Sequence, residues 1–325
     1  MNNEDNIFKV ILKNLSQQGI SVLPKTFKKY KHQGWMSGVF IADSNRGRLI
    51  IHLINPVKEH RLNRVWDKFH GLSKILSSHS KIPTSNILYS RFLEKKFVLV
   101  QSFIAGNRAG NRVLKKNIIY DKWKVQKKDV LPDLLRVVAD IHKINLKGFG
   151  WPVLDNNSLK GKYKTQKEFF EYYYPLWFRE IQKADRRLSL KNHLQNYPTE
   201  FIKRTVKNIN YKGPAVLVHG DAINPGNILV QNKNRVALID FEWSILADPA
   251  WEFCVLGWWE LTNEENLLSY FKAVGIKNHS DKVAFINRVK LYIPLWLLWG
   301  TYMHANDSNP DVYIALRKLF LEKTY

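Results

Sequence analysis

Cysteine is almost absent from this chain: a single one, Cys254, stands among 325 residues. A disulfide within the chain is therefore excluded, and with it the cross-linked scaffold of a small secreted domain. Its surroundings, "EFCVLGWW", are apolar, so the thiol is expected to be buried. Acidic residues are also scarce, 28 Asp plus Glu against 51 Lys plus Arg, for a formal charge of +23. Such a surface attracts nucleotides, anionic substrates, RNA or acidic membranes, which constrains partners rather than fold. Long hydrophobic runs are missing too. The longest, "LYIPLWLLWG" at 291–300, is about half of the roughly 20 residues a membrane helix needs, so no membrane insertion is expected. The start, "MNNEDNIFKVILKNL", is acidic and has no long apolar core, which argues against a signal peptide and for a cytoplasmic location.

Core-forming residues, by contrast, are plentiful. Hydrophobic content is 45%, with 11 Trp, 14 Tyr and 17 Phe, enough to fill one sizeable core or two lobes. Residues 34–54, "GWMSGVFIADSNRGRLIIHLI", alternate small and apolar residues about a polar turn and predict a hairpin. Leu62, Val65, Trp66, Phe69, Leu72, Ile75 and Leu76 recur at spacings of three and four, predicting a helix over 59–77. A second hairpin is expected from "NILYSRF" and "KFVLVQSFI", joined by "LEKK". The segment "AGNRAGNR" lacks periodicity and reads as a connector. It places the lobe boundary near 104–110, with an N-terminal lobe over 1–104 and a C-terminal lobe over 105–325. Helical patterns then dominate in "LPDLLRVVADIHKI", "KEFFEYYYPLWFREIQKADRRL" and "VKLYIPLWLLWGTYMH". Between the last two lie "NILV" and "VALIDF", separated by the turn "QNKN". A small sheet with one main helix, followed by helices around a hairpin, predicts an α+β fold in two lobes.

Chemistry concentrates in "VHGDAINPGNILVQNKNRVALIDFE" at 218–242. Phosphoryl transfer asks little covalent help from a protein: it needs magnesium on the phosphate oxygens and a carboxylate to orient the attacking hydroxyl. Asp221, Asn227 and Asp240 offer such a set, all at the edges of the predicted hairpin. Hard oxygen donors suit magnesium, and an Asp plus an Asn leave room in the shell for nucleotide phosphates.

The conjunction of "HGD" at 219–221, "PGNIL" at 225–229, "IDFE" at 239–242 and "DPAWEF" at 248–253 resembles the aminoglycoside phosphotransferase and choline kinase family, whose fold is protein-kinase-like. Weaker agreement covers most of the chain: "FVLVQSFIAG" at 97–106 is similar to the strand and hinge between lobes, and "LLRVVADIHKI" to the helix before the substrate region. The resemblance implies a bilobal fold and an ATP- and Mg2+-dependent transfer of phosphate to a hydroxyl of a small molecule. It implies Asp221 as the catalytic carboxylate, Asn227 and Asp240 as magnesium ligands, and backbone groups near Gln101, Ser102 and Phe103 as the adenine site. The chain departs from the family at two places. The loop from Asp221 to Asn227 is one residue longer than usual, so it must bulge. His52 falls where the family has a lysine or arginine gripping the α and β phosphates, and a neutral imidazole grips phosphate less well. Protonated His52, substitution by Arg48 or Lys58, or weak nucleotide binding are the alternatives. The acidic partner on the following helix would be Asp67, or else Glu59.

Other features have plainer readings. His219 is expected to brace the loop by hydrogen bonds, and Asp248 to cap the helix begun by "PAWEF". Glu242 reads equally as a support for metal through water and as an exposed carboxylate. "EYYYPLWF" and "WWE", with Glu260, have the composition of a quaternary-ammonium cage, although residues at helical spacing more often form core. A +23 protein would repel a polycationic acceptor. "KKYKHQ" and "KKNIIYDKWKVQKK" interleave Lys with Tyr and Trp, compatible with nucleic-acid binding, but no groove-reading or single-strand motif accompanies them. A choline-like alcohol, a sugar, an amino alcohol and a nucleoside-like antibiotic remain as acceptors. The competing function is a catalytically weak, kinase-like module that binds nucleotide or RNA in a regulatory role.

Overall fold

The computed structural model describes residues 3–30, 37–54, 71–72, 75–76, 78–79, 82–93, 96–116, 118–156, 158–190, 197–307 and 309–324. They form two compact units, 1–105 with 152–159, and 106–151 with 160–325.

The first unit opens with helix α1 (Asn3–Gln17) and continues through β1 (Lys28–Lys29), β2 (Ser37–Ser44), β3 (Gly47–Ile54), β4 (Ile87–Leu93) and β5 (Lys96–Ser102). The strands form one antiparallel sheet in the order β1-β2-β3-β5-β4. Alternation dictates both hairpins: Leu49, Ile51 and Leu53 of β3 are buried with Ile11 and Leu15 of α1. Each such side chain contributes about 1.5–3 kcal/mol of burial. The intervening residues Ile50, His52 and Ile54 occupy the opposite face, where His52 pairs with Leu99 and Ile50 with Gln101. The opening helix α1 adds a second helix to the one main helix expected in the first lobe. Phe8, Ile11 and Leu15 repeat at helical spacing and cover the sheet. The helix expected over 59–77 lies largely outside the described residues, as do Lys58, Glu59 and Asp67. Gly71, Leu72, Ile75 and Leu76 are helical, and Leu72 and Leu76 are buried.

The second unit begins with β6 (Asn107–Arg108), β7 (Gly110–Lys115) and β8 (Ile118–Trp123), so the expected connector is instead two strands, one of them half of a hairpin. Its glycine hides a close approach: a Cβ on Gly110 would come within 2.1 Å of the Lys122 carbonyl oxygen. Next come α2 (Lys127–His142) and β9 (Asn145–Leu146). The short pair β10 (Val153–Asp155) and β11 (Ser158–Lys160) groups with the first unit up to Leu159. Then follow α3 (Gln166–Arg187), α4 (Tyr197–Lys207), β12 (Ala215–Val218), β13 (Ile228–Val230), β14 (Val236–Leu238), β15 (Ile245–Ala247), α5 (Leu268–Val274), α6 (His279–His304) and α7 (Asp311–Thr324). Two small sheets matter here, β15-β12-β9 and β14-β13-β6, both antiparallel. The apolar stripe of α2, including Leu134, Leu135, Val138 and Ile141, is buried, and the helix packs on β12 and β14. An antiparallel sheet in one unit and a mainly helical second unit bear out the α+β expectation. No helix among the described residues is long and apolar enough to cross a membrane.

Candidate functional site

Strand β12, "AVLV", is buried along its whole length, and it delivers His219, Gly220 and Asp221 from the core of the second unit. Gly220 has φ +84, and a Cβ there would lie 2.4 Å from the Trp243 carbonyl oxygen, so the turn requires glycine. The six-residue step to Asn227 is absorbed by two consecutive turns. The Asn224 N–H donates to Asp221 O (3.3 Å), and the Asn227 N–H to Asn224 O (2.8 Å). Asn224 Oδ1 accepts from the Gly226 N–H at 3.0 Å, an Asx turn that pins the Asn-Pro-Gly corner. The extra residue is therefore a second turn.

These turns gather amides on one carboxylate. Asp221 Oδ2 accepts from Asn224 Nδ2 at 2.8 Å and from Asn227 Nδ2 at 3.1 Å. Asp221 Oδ1 accepts from Arg112 Nη1 at 2.8 Å. With its Nδ2 committed to Asp221, Asn227 has Oδ1 as its ligand atom. The Ile239 N–H donates to Asn227 O at 3.0 Å, and the β13–β14 register sets Ile228 opposite Leu238. Asp240 follows directly. Its backbone is left-handed, φ 67 and ψ 64, a conformation that costs most non-glycine residues about 1–3 kcal/mol and that Asp tolerates better than most.

Asp240 keeps solvent access although protein crowds its carboxylate. Burial raises its pKa; His219 opposes this, Asp221 adds to it, and the Glu242 N–H and Arg108 oppose it. Two carboxylates within electrostatic reach, beside a carboxamide oxygen, form an electron-rich set of hard donors. That composition fits a magnesium ion, which retains water and phosphate in its shell.

The loop is held from beneath by Glu252, on the short 3-10 helix Pro249–Cys254. Its buried carboxylate accepts from the N–H groups of His219 (2.8 Å), Gly220 (3.1 Å) and Ala222 (3.1 Å). Burial pushes its pKa up, but His142, His219 and the Gly220 N–H outweigh it and hold the carboxyl below its ordinary value. His142 Nε2 lies 3.9 Å from Oε2, beyond hydrogen-bond range, so it acts as a polar neighbour. His219, fully buried, donates from Nε2 to Ile239 O (3.0 Å) and accepts the Asp221 N–H at Nδ1 (3.3 Å). It thus ties the loop to the end of β14. Asp248 caps the same short helix through the Ala250 N–H and accepts from Arg288 and Tyr292.

In the first unit, His52 is only partly covered by area yet closely surrounded by protein. Burial lowers its pKa from 6.5 to about 4, against a hydrogen bond with Gln101 that favours the charged ring. The imidazole is neutral at neutral pH. Arg48 is engaged with Asp43 at 2.8 Å. Of the backbone donors at the end of β5, the Ser102 N–H is taken by Asn86 O and the Phe103 N–H by Arg48 O, both at 2.9 Å. The aromatic runs are core only in part: Trp177, Phe178 and Trp258 are buried, whereas Tyr172 is exposed and Tyr173 and Tyr174 are half-buried, and Lys323 already lies over Trp259.

Arg112, Asp121, Asn224 and Glu252 escaped sequence reasoning as site residues. Asn-Pro-Gly is a turn signal that points to Asn224, and Glu252 lies inside a quoted motif. Nothing local marks Arg112, which meets Asp221 across 109 positions.

A sequence profile described as the phosphotransferase enzyme family matches residues 32–285. No curated protein matches. Among solved structures, the fold is similar to an aminoglycoside phosphotransferase APH(4)-Ia mutant in ternary complex with ADP and hygromycin B, at TM-score 0.64, 15% identity and 96% coverage of both chains. It is also similar to the macrolide 2'-phosphotransferase MphH from Brachybacterium faecium, at TM-score 0.57, 14% identity and 97% coverage of both. A macrolide 2'-phosphotransferase type I matches at TM-score 0.60, 13% identity and 98% coverage of both.

Proposed function

The chain belongs to the phosphotransferase enzyme family, and on that premise we propose that it is an ATP- and magnesium-dependent kinase that phosphorylates a hydroxyl group of a small molecule. The observation that carries this reading is the meeting of Asp221, Asn227 and Asp240 at one edge of the β13–β14 hairpin. Asp221 orients the acceptor hydroxyl and takes its proton as the oxygen bonds to the γ-phosphorus. The bond from that phosphorus to the β,γ-bridging oxygen breaks, and its electron pair leaves with ADP. Asn227 Oδ1 and the Asp240 carboxylate are the candidate magnesium ligands. When bound, the ion neutralises charge on the phosphate oxygens. Adenine is assigned to the end of β5, around Gln101, Ser102 and Phe103, with His52 lining the same sheet face as a neutral group.

The test is ADP formation with MgATP and a panel of hydroxyl compounds: hygromycin B, a macrolide, choline and a hexose. Asp221→Ala is expected to lower turnover by about 10²–10⁴-fold, and Asp240→Ala to abolish it, with both variants melting cooperatively. Wild-type turnover retained in both variants contradicts the assignment. One observation favours the competing reading of a weak nucleotide-binding module: His52 carries no charge at neutral pH. Saturating nucleotide raises stability by mass action, so a melting temperature unmoved by millimolar MgATP supports neither active kinase nor nucleotide site.

A further inference from the structure

Arg112 sits on β7, and its guanidinium is fixed on three sides. Nε donates to Asp121 Oδ1 at 2.8 Å, while Nη2 reaches Asp121 Oδ2 at 3.4 Å and the Leu256 carbonyl oxygen at 2.9 Å. Asp121 comes from β8, directly opposite in the hairpin register. Gly257 admits this arrangement, since a Cβ there would come within 2.5 Å of Asp121 Oδ2. The frame aims Nη1 at Asp221 Oδ1, 2.8 Å away. Four of the five guanidinium N–H groups are thereby committed, leaving one on Nη1 without a partner among the described residues. Asp221 is as fully occupied. Two amides saturate Oδ2, Arg112 takes one lone pair of Oδ1, and one lone pair of the carboxylate remains.

We infer that Arg112 is a positioning residue for phosphoryl transfer: held by Asp121 and Leu256, it locks Asp221 so that a single Oδ1 lone pair is left to accept the acceptor's proton. The inference rests on the kinase reading above. A rigid planar fork is required, because one group must span two carboxylates and a carbonyl at once. A lysine ammonium at the end of a flexible stem keeps the charge beside Asp121 but cannot hold all three contacts. The unshared Nη1 hydrogen is a further donor for an oxygen atom of a bound substrate.

The experiment compares wild type, Arg112→Lys and Arg112→Met with MgATP as the probe and water as the phosphoryl acceptor. The readouts are ADP formation, KM for MgATP and the melting shift given by Mg·AMP-PNP. Arg112→Met is expected to lose about 100-fold in kcat, the scale of one preorganised donor, with KM and melting shift within about twofold of wild type. Arg112→Lys, which keeps a positive charge beside Asp121 and carries the test if the Met variant fails to fold, is expected to recover part of the rate while remaining at least about tenfold slow. Wild-type kcat in Arg112→Lys overturns the inference alone, as does a loss in which KM rises and the melting shift shrinks in step with the fall in kcat. A wild-type protein that forms no ADP and gains no stability from nucleotide overturns the kinase reading, and the inference with it.

Discussion

At the scale of single residues, the site is defined by groups whose protonation and hydrogen bonding are fixed by neighbours remote in sequence. His52 is the sharpest case. Its folded pKa of about 4 lies below the ordinary 6.5 because burial disfavours the imidazolium. The unfolded chain therefore binds the proton first as the pH falls, and stability is lost progressively between those two values. His52→Gln cannot titrate. In urea titrations between neutral pH and about pH 4, the wild type is expected to lose up to about 3 kcal/mol more than the variant; parallel pH dependences would contradict the burial of His52. The quoted motifs pointed to Asp221, Asn227 and Asp240 as the proposed set because those types are spaced around a hairpin. They could not identify Arg112, whose partners Asp121, Leu256 and Asp221 come from three separate segments.

At the scale of elements, alternation and helical spacing were legible wherever one face meets the core, as in β2–β3, β4–β5 and α2. They failed at 105–112, where glycine and asparagine carry no hydrophobic pattern. There the strands are specified by backbone approach, Gly110 against Lys122, and by pairing of β6 with β13. The loop after β12 shows why motif spacing alone understates structure: its additional residue is an Asx-stabilised turn at Asn224, and its backbone donors end on Glu252. Replacing Glu252 with Gln retains one oxygen acceptor but sets an amide against donors, leaving at least one buried N–H unsatisfied. The expected cost is about 2–3 kcal/mol in urea unfolding, together with a fall in kcat as the loop loses its frame. An unchanged unfolding midpoint would show that Glu252 does not hold the loop.

At the scale of the molecule, the order of elements in the chain was enough to anticipate a sheet unit followed by a helical one, and composition was enough to supply their cores. Composition was silent about any substrate, because the side chains that would recognise one come together only through tertiary folding. The positive balance of charge remains a long-range attraction for a nucleotide, complementary to the local carboxylates that would hold its cation. The central claim is that Asn227 and Asp240 ligate the divalent ion of a nucleotide beside Asp221. Its most direct measurement is the crystal structure with AMP-PNP and Mn2+, read by anomalous scattering. The account predicts an ion about 2–2.3 Å from Asn227 Oδ1 and an Asp240 carboxylate oxygen, with the γ-phosphate bound to it. A nucleotide-bound ion with neither residue in its shell would contradict it.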